Sequence, residues 1–404
     1  MREALILAGG RGVRLGELTD TTPKPLIDVG GVPFIEHLFW NLERHGIERV
    51  VLSVGYLPEK FEEFAASRHT ARPGSRLHVE VVAEPEPLGT GGAVAFAAER
   101  LRGDVALVLN GDTLFDLNYL DLALAVDDTT PVAVALMGVD DASRYGAVTL
   151  DDGRITAFAE KSGREPGLVN GGVYAADVAF LAGLGTGRFS LEEDVFPRLV
   201  SEGRLAARSY RGAFVDMGTP ESLELARETI GTWYERPAVL FDRDGVLNVD
   251  HGHVATPERF EWVPGAREAV KAVNDAGMLA IAVTNQAGIA KGLYTQDEYL
   301  AFERWIAECL AEGGAHLDAV YHCPHHPEGQ GEFRVVCECR KPAPGMVLSA
   351  IADWGLDTGS TVLLGDKASD LEAARAAGVE GVRFDGGDLR DAVIPLIEKL
   401  AGAR

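Results

Sequence analysis

Cysteine is scarce in this 404-residue chain, and none occurs before residue 309. Four thiols confined to the second half argue against a secreted disulfide framework. Basic residues are also in the minority: 38 Lys and Arg face 62 Asp and Glu, giving a formal charge of −24. That charge disfavours nucleic acid and anionic membranes as partners. Small phosphorylated substrates remain compatible with it, because Arg, Lys or metal ions can form a local positive site.

Long apolar runs are absent as well. No segment approaches the roughly 20 apolar residues of a membrane span, and residues 1–10 lack the features of a signal peptide. We therefore expect a cytoplasmic protein. Hydrophobic residues make up 46% and charged residues 25%, which is typical of a globular chain. The length predicts roughly two or three domains.

Two series of alternating strands and helices predict an α/β fold with two domains. The first series starts with an apolar strand at 4–7 and includes a strand at 105–110, and the second starts at 238–241. Residues 234–237 form a short connector without a long Gly, Ser or Pro tract. We predict domains at 1–233 and 237–404. In open parallel sheets, ligands bind where strands end.

A glycine-rich loop follows the first strand. It contains Leu7, Gly9, Gly10, Gly12 and Arg14, and Lys24 follows in a Pro-Lys-Pro segment. Glycines let backbone N–H groups approach a phosphate closely. The pattern matches neither the dinucleotide-binding nor the P-loop motif. Considered alone, the loop could equally be a tight turn from strand to helix.

With residues 22–26 included, this segment resembles the signature of sugar-1-phosphate nucleotidylyltransferases. The resemblance continues through residues 86–92, 110–113, 160–161, 170–172 and 216–220, so it covers nearly all of 1–230. It implies a Rossmann-like domain with a mixed, mostly parallel sheet. Within this family, the heptose 1-phosphate guanylyltransferases are most similar, which implies GTP and a heptose phosphate as substrates. Val13 departs from the family, whose members commonly have Thr there.

The resemblance also implies residue roles in an in-line attack on the α-phosphorus of the triphosphate. Asp112 and Asp216 would hold Mg²⁺, since carboxylate oxygens suit that ion. Arg14 and Lys24 would neutralise the pyrophosphate, and Lys161 would position the sugar phosphate. Gly89 and Gly91 would contact the base and ribose, and Asn170 and Gly171 would contact the sugar. Taken singly, each aspartate could be a helix cap and Lys161 a solvated partner of Glu160.

The second half contains Asp242 and Asp244 directly after the strand at 238–241. Side chains two positions apart at a strand end can approach one phosphoryl group, so one carboxylate can attack while the other handles the proton. The motif resembles that of haloacid-dehalogenase-type phosphatases. The resemblance implies that Asp242 forms an aspartyl-phosphate and that Asp244 acts as the general acid and base.

Further motifs of this family occur in the expected order. Thr284, Arg340 and Lys341 would contact the phosphoryl group or the sugar phosphate. Mg²⁺ would be bound by Asp242, Asp366 and the backbone carbonyl of Asp244, supported by Lys367 and Asp370. An Asx-turn and ordinary caps would explain each residue singly but not the ordered set.

Three cysteines and a histidine cluster in the sequence of this half: Cys323, His325, Cys337 and Cys339. They supply the ligands of a closed, structural Zn²⁺ site. The site would deliver Arg340 and Lys341 to the substrate. A 337–339 disulfide or three unrelated thiols are the alternatives. Cys309 fits a core position on an apolar helix face.

Residues 237 to about 385 resemble the heptose 1,7-bisphosphate 7-phosphatases, although histidinol-phosphatases share the zinc pattern. Substrate recognition is then implied for Asp250, His251, His253, Asn285, Gln286 and Lys367. Both halves point to heptose phosphates, which favours a bifunctional enzyme of GDP-heptose synthesis. Two alternatives remain open: a hexose 1-phosphate nucleotidyltransferase fused to a histidinol-phosphatase, or a chain in which one domain is degenerate and regulatory. A homo-oligomer is compatible with the sequence.

Overall fold

The computed structural model describes residues 1–71, 75, 77–142, 147–158 and 165–402. The chain divides into two compact units, Met1–Gly231 and Thr232–Arg404, which are described separately below. Among the described residues, no helix is both long enough and apolar enough to cross a bilayer. Both units combine helices with a central sheet, so the predicted α/β class is confirmed.

The first unit contains thirteen of the strands described. They are β1 (Glu3–Leu7), β2 (Asp28–Val29), β3 (Val32–Pro33), β4 (Arg49–Val54), β5 (His78–Ala83), β6 (Val105–Asn110), β7 (Thr113–Phe115), β8 (Val132–Val139), β9 (Val148–Asp151), β10 (Arg154–Phe158), β11 (Gly167–Asp177), β12 (Leu205–Tyr210) and β13 (Phe214–Asp216). Its helices are α1 (Leu18–Thr21), α2 (Phe34–Arg44), α3 (Pro58–Ala71), α4 (Gly89–Ala98), α5 (Tyr119–Ala123), α6 (Val178–Ala182) and α7 (Phe196–Ser201), and α8 (Pro220–Trp233) extends two residues past Gly231.

Nine of these strands form one mixed sheet in the order β5-β4-β1-β6-β11-β8-β12-β10-β9. Parallel pairing joins β5, β4, β1 and β6, and also β8 and β12, whereas the other neighbours are antiparallel. The sheet is thus mixed, as predicted, but parallel pairs are half of the neighbours rather than most. One antiparallel pair follows from a short connection, because the two-residue turn between β9 and β10 can only join antiparallel strands.

The parallel part of the sheet determines where the site lies. Leu7 is in register with Ser53 on one side and with Asn110 on the other, and Val54 is in register with Ala83. Since these neighbouring strands run in the same direction, their carboxyl ends meet at one edge. The glycine-rich loop and the residues after β5 and β6 therefore come together, as the strand pattern predicts.

The second unit contains a five-stranded parallel sheet in the order β16-β15-β14-β17-β18. Its strands are β14 (Ala238–Phe241), β15 (Leu279–Asn285), β16 (Ala319–Cys323), β17 (Thr361–Gly365) and β18 (Glu380–Arg383). Its helices are α9 (Ala266–Asp275), α10 (Ala287–Ala290), α11 (Gln296–Ala311), α12 (Gly345–Trp354), α13 (Ala368–Ala377) and α14 (Leu389–Ala401).

Helices cover both faces of this second sheet. On one face, Val239 and Phe241 of β14 belong to a buried cluster with residues of α9, α11 and α14. On the other face, Leu240 packs with residues of α12 and α13. All four residues of β14 are buried, which explains why this strand reads as a continuous apolar run. Asp242 follows immediately, at the carboxyl edge of the sheet.

Candidate active sites

The first cavity lies at the carboxyl edge of the parallel strands of the first unit and has a volume of about 530 Å³. Most of the residues predicted for the nucleotide line it: Leu7, Gly9, Gly10, Gly12, Arg14, Lys24, Gly89 and Asp112. Gly12 has φ of 63°, a conformation that glycine adopts at low cost. At Gly9, an added Cβ would lie 2.7 Å from Oε1 of Glu84 and 3.2 Å from the backbone nitrogen of Gly55, so a side chain there would displace the Glu84 carboxylate.

A small antiparallel ribbon brings the two predicted Mg²⁺ ligands, Asp112 and Asp216, near each other beside this cavity, although of the two only Asp112 lines it. β7 pairs with β13 so that Asp216 is opposite Thr113, and the N–H of Met217 donates to the carbonyl oxygen of Asp112 at 3.0 Å. Burial and the charge of Asp112 raise the pKa of Asp216. Two neighbouring carboxylates, one of which resists ionisation, are suited to bind a divalent cation. Water and substrate oxygens would supply its other ligands.

Cations accompany these carboxylates. The Lys24 ammonium is buried and bonds to Oδ2 of Asp112. Around Gly218, the Asp216 carboxylate and the Arg14 guanidinium converge, since an added Cβ there would lie 2.9 Å from Oδ2 of Asp216 and 3.3 Å from Nη2 of Arg14. Charge of both signs is therefore concentrated where a triphosphate and its metal would meet.

Other predicted residues lie differently. Asn170 donates to the hydroxyl of Tyr174 at 2.9 Å and accepts from the N–H of Gly172 at 2.9 Å, so both ends of its amide are occupied. Gly171 packs against the ring of Phe115, and Gly91 against the ring of Phe189. Close packing against these rings therefore explains why glycine occupies both positions. Lys161 lies outside the described residues.

Glu84 is a cavity residue that the sequence reasoning missed. It follows the last residue of β5, and its carboxylate accepts from the Ser53 hydroxyl at 3.1 Å and from the N–H of Leu88 at 3.3 Å. Burial raises the pKa of Glu84 against the effect of these two donors. Its place directly after a parallel strand was the available signal.

The second cavity, of about 440 Å³, lies at the carboxyl edge of the second sheet. The predicted residues that line it are Asp242, Asp244, Asp250, His253, Thr284, Asn285, Gln286, Arg340, Lys341 and Lys367. His251 is not among the lining residues, because its exposed ring faces Glu261, with Nε2 3.0 Å from Oε2. The convergence predicted from the strand ends is thus present.

Asp242 is buried with only 5% of its surface exposed. Its Oδ1 lies 2.8 Å from Nζ of Lys341, and the same ammonium lies 2.8 Å from Oδ1 of Asp370. Burial raises the pKa of Asp242 to about 6, although the Lys341 charge opposes the shift. A buried carboxylate paired with one ammonium is suited to attack a phosphorus atom that the ammonium also attracts.

Three donors hold the Asp244 carboxylate in place. Arg243 contacts both of its oxygens at 3.0 Å, and the amides of Asn248 and Gln286 donate at 3.0 Å. Arg243 is itself buried and bonds to Glu303 at 2.8 Å. Gln286 was predicted to bind substrate, but its amide also accepts from Tyr294 and donates to Thr284. It therefore orients Asp244.

An acidic group beside Asp242 fits a metal ion. Oxygen atoms of Asp242, Asp366 and Asp370 lie within 4.8 Å of one another. Oδ1 of Asp366 is buried and accepts no hydrogen bond from any residue in the described part of the chain. An added Cβ at Gly245 would lie 2.3 Å from Asp366, so the backbone closes over the group. The third carboxylate is that of Asp370, whereas the Asp244 side chain does not belong to the group.

The predicted sulfur and nitrogen ligands also come together. Cys323, His325, Cys337 and Cys339 form a second group whose ligand atoms lie within 4.8 Å of one another. The sulfur of Cys339 is 3.2 Å from that of Cys323 and 3.1 Å from that of Cys337, and all three cysteines are free thiols. Three thiols and an imidazole are a tetrahedral donor set.

The cysteine loop is connected to the catalytic edge. Nη1 of Arg340 donates to the carbonyl oxygen of His325 at 3.3 Å. Asn285 bonds to the backbone of Lys341 twice, donating at 3.0 Å and accepting at 3.1 Å. The Asn285 amide thus supports Lys341, a role that the sequence alone did not indicate.

Comparisons with known proteins agree with this division. A nucleotidyl transferase family model matches residues 3–232, and a HAD-hydrolase-like model matches residues 338–396. D-glycero-β-D-manno-heptose-1,7-bisphosphate 7-phosphatase from Rhodopseudomonas palustris is 45% identical over 155 residues, which are 38% of this chain and 86% of the relative. The Vibrio cholerae protein of that name is 45% identical over 145 residues, 36% of this chain and 78% of the relative.

The chain belongs to two families, the nucleotidyl transferases and the HAD-like phosphatases. It is an enzyme with transferase and phosphatase activity. Among solved structures, HddC from Yersinia pseudotuberculosis is 31% identical and superposes with a TM-score of 0.51, covering 57% of this chain and 100% of HddC. HddC has also been solved in complex with GMP-PN. The predicted membership of the N-terminal half in the nucleotidyl transferase family is therefore confirmed.

Proposed function

We propose that this enzyme catalyses two reactions of GDP-heptose synthesis. Residues 237–404 remove the 7-phosphate of D-glycero-D-manno-heptose 1,7-bisphosphate, and residues 1–233 transfer GMP from GTP to the resulting heptose 1-phosphate. The observation that carries the proposal is the pairing of relatives: one region is similar to heptose bisphosphate phosphatases and the other to HddC. The product of the first reaction is the substrate of the second.

In the phosphatase reaction, Asp242 attacks the phosphorus and the sugar oxygen leaves. Asp244 donates a proton to that oxygen and then removes one from the hydrolytic water, which cleaves the aspartyl-phosphate. Lys341 and Thr284 contact the phosphoryl oxygens. Mg²⁺ bound by Asp242, Asp366 and Asp370 would supply positive charge for the phosphoryl group. Arg243, Asn248 and Gln286 keep Asp244 aligned through the bonds described above.

In the transfer reaction, an oxygen of the sugar phosphate attacks the α-phosphorus of the triphosphate and pyrophosphate leaves. The glycine-rich loop holds the phosphates through backbone N–H groups, and Arg14 and Lys24 neutralise the leaving pyrophosphate. Mg²⁺ bound by Asp112 and Asp216 would neutralise phosphate charge. Lys161 would orient the sugar phosphate, and Asn170 would support the sugar site through its bond to Tyr174.

Glu84 supports guanine as the base. A carboxylate accepts hydrogen bonds but donates none, and the N1–H and N2–H₂ groups of guanine are neighbouring donors. Adenine, cytosine and uracil lack this pair of donors. We propose that Glu84 accepts both hydrogen bonds, since it lines the cavity beside Gly89 and Leu88.

The cysteine group completes the proposal as a structural Zn²⁺ site that positions Arg340 and Lys341. Three thiolates and an imidazole leave no open coordination position, so we assign this metal no catalytic step. We also propose that the enzyme acts in the cytoplasm on small phosphorylated substrates.

Mass spectrometry of the products from heptose 1,7-bisphosphate with each of the four common triphosphates tests this function. Wild-type enzyme should yield GDP-heptose. Asp112→Ala should stop at heptose 1-phosphate, because only pyrophosphate release is lost. Asp242→Asn should leave the bisphosphate intact but still convert added heptose 1-phosphate. Exclusive turnover of mannose 1-phosphate and histidinol phosphate would refute the heptose assignment.

A further inference from the structure

Glu192 lies between two segments of the first unit that the proposed transfer reaction uses. One is the start of α4, where Thr90 lines the nucleotide cavity. The other is β11, which carries Asn170 and Tyr174. Glu192 belongs to a single π-helical turn, residues 191–195, directly ahead of α7. Turns of this kind are rare and are frequent at functional sites.

The Glu192 carboxylate receives hydrogen bonds from both segments. Oε2 accepts from the hydroxyl of Thr90 at 2.7 Å and from that of Ser190 at 2.9 Å, and Oε1 accepts from the hydroxyl of Tyr174 at 3.4 Å. Tyr174 is buried, and its hydroxyl in turn accepts from the amide of Asn170 at 2.9 Å. A continuous chain of hydrogen bonds therefore joins a residue of the nucleotide cavity to a residue proposed for the sugar.

The direction of each bond in this chain follows from the chemistry of its groups. A carboxylate only accepts, so Thr90 and Tyr174 donate their single O–H protons to Glu192. The Thr90 oxygen is then left to accept from the N–H of Leu191 at 2.9 Å. Burial and the charge of Glu192 raise the pKa of Tyr174, which keeps the phenol proton in place for its bond. A neutral amide of the same shape could accept on one side only, because its other end donates.

Backbone bonds attach the segment before the π-helical turn to the start of α4. The N–H of Gly91 donates to the carbonyl oxygen of Phe189 at 3.0 Å, and the N–H of Phe189 donates to the carbonyl oxygen of Leu88 at 3.1 Å. A displacement of the turn would therefore move the start of α4 with it. The bond from Tyr174 to Glu192 extends this attachment to β11.

We propose that Glu192 is a positioning residue that keeps the nucleotide-binding start of α4 aligned with residues 170–172 of β11. The inference rests on the proposed transfer of GMP to a sugar phosphate. That reaction needs the attacking oxygen of the sugar phosphate in line with the α-phosphorus, and a small misplacement of the two costs rate. Glu192 acts through Thr90 and Tyr174 rather than on a substrate, so its loss should appear mainly in kcat.

Glu192→Gln in the full-length enzyme tests this role, with GTP and heptose 1-phosphate as substrates and pyrophosphate release as the signal. We expect kcat to fall about 10-fold, as for loss of one hydrogen bond to a charged group. The dissociation constant of GTP alone, measured by calorimetry, should change less than about 3-fold, because the cavity residues stay in place. Glu193→Gln alters the exposed neighbouring carboxylate of the same turn and should keep the wild-type kcat.

A double-mutant cycle distinguishes positioning from a merely structural role. Thr90→Val and Tyr174→Phe each break one side of the bridge, so each should lower kcat. The double variant should lose little more than the larger single loss, because both changes disable the same connection. Single losses that multiply in the double variant would show that the two hydroxyls act independently, and would overturn the inference.

A wild-type kcat in Glu192→Gln, with or without a lower melting temperature, would overturn the inference as well. Both outcomes presuppose a wild-type enzyme that forms GDP-heptose. A wild-type enzyme that forms none from GTP and heptose 1-phosphate would instead overturn the proposed function.

Discussion

At the scale of single residues, the two sites place carboxylates in contrasting surroundings. Asp242 and Lys341 form a buried pair in the phosphatase site, whereas Glu84 in the transferase site faces an open cavity with two neutral donors behind it. The Asp242–Lys341 pair favours attack on a phosphate group, because the ammonium attracts the negative charge that the phosphate carries. The second leaves carboxylate lone pairs free to accept from a base.

Replacing Glu84 tests base selection. Glu84→Gln exchanges one acceptor for a donor that opposes the donors of guanine, so kcat/KM with GTP should fall about 10- to 100-fold, the usual worth of a paired base contact. Turnover with ATP should change less. Steady-state pyrophosphate release with both nucleotides measures this. Glu86→Gln, at a nearby exposed carboxylate, is the control, and an equal loss with GTP and ATP would rule out a role in base reading.

A second residue-scale prediction concerns acid stability. Glu3 is buried and accepts from the N–H groups of Arg102 at 2.6 Å and Gly103 at 2.7 Å, besides its ion pair with Arg49. Burial opposes ionisation, but these partners lower the pKa of Glu3 below its ordinary 4.5. The stabilisation is therefore fully present above pH 4.5 and is lost as pH falls through the lower folded-state value.

Glu3→Gln should accordingly reduce the free energy of unfolding at pH 7 by about 1–3 kcal/mol, the cost of losing a charged hydrogen-bond acceptor. It should also flatten the decline in stability below pH 4.5. Urea unfolding of the first unit between pH 3 and 7 gives both quantities. Curves of equal slope for wild type and variant would contradict the sign of the pKa shift.

At the scale of elements, short segments bring the chemistry together. The β7–β13 ribbon has three residue pairs and aligns Asp112 with Asp216. The loop after β16 carries three of the predicted zinc ligands and leads into Arg340 and Lys341. The ribbon is anchored by the buried side chains of Leu114 and Phe115, whereas the loop after β16 is held by hydrogen bonds and, in our proposal, by the metal ligands.

Breaking the zinc group should therefore disable one reaction only. We expect Cys337→Ser to lose bound zinc and to lower phosphate release by at least about 10-fold, as changes around metal ligands do. Pyrophosphate release from the transferase should remain at the wild-type level. Metal analysis and the two assays on one preparation measure this. Cys309→Ser is the matched control, and full phosphatase activity in zinc-free Cys337→Ser would exclude a positioning role.

At the scale of the whole molecule, each unit has its own sheet and its own buried clusters. A unit with a separate core can fold alone. We predict that residues 1–233 and 237–404, produced separately, each keep their own reaction at close to the rate in the intact chain. Kinetics on the two fragments tests this. A folded fragment with no activity would show that its site needs residues from the other half.

Much of this organisation was predictable because parallel strands bring their carboxyl ends to one edge. Buried strands such as β1 and β14 can be recognised in the sequence as continuous apolar runs. The residue after each run is then expected at the carboxyl edge of the sheet. The glycine-rich loop, Asp112 and Asp242 were located in this way, and Thr284, expected just after a strand, lies near the end of β15. Short spacing likewise predicted the cysteine and histidine group, since its members occur as two close pairs.

Side-chain direction could not be read in the same way, because it depends on contacts with residues far away in the chain. His251 turns to Glu261 while His253 faces Lys291. The strand order places Glu84 at the edge of the first sheet, but tertiary packing turns its carboxylate into the nucleotide cavity, and it makes Asp370 a member of the carboxylate group that the sequence predicted it only to support. Apolar patterning along the chain therefore establishes which strand ends carry the chemistry. Which side chains meet there depends on folding, because burial and hydrogen bonding select one orientation from several.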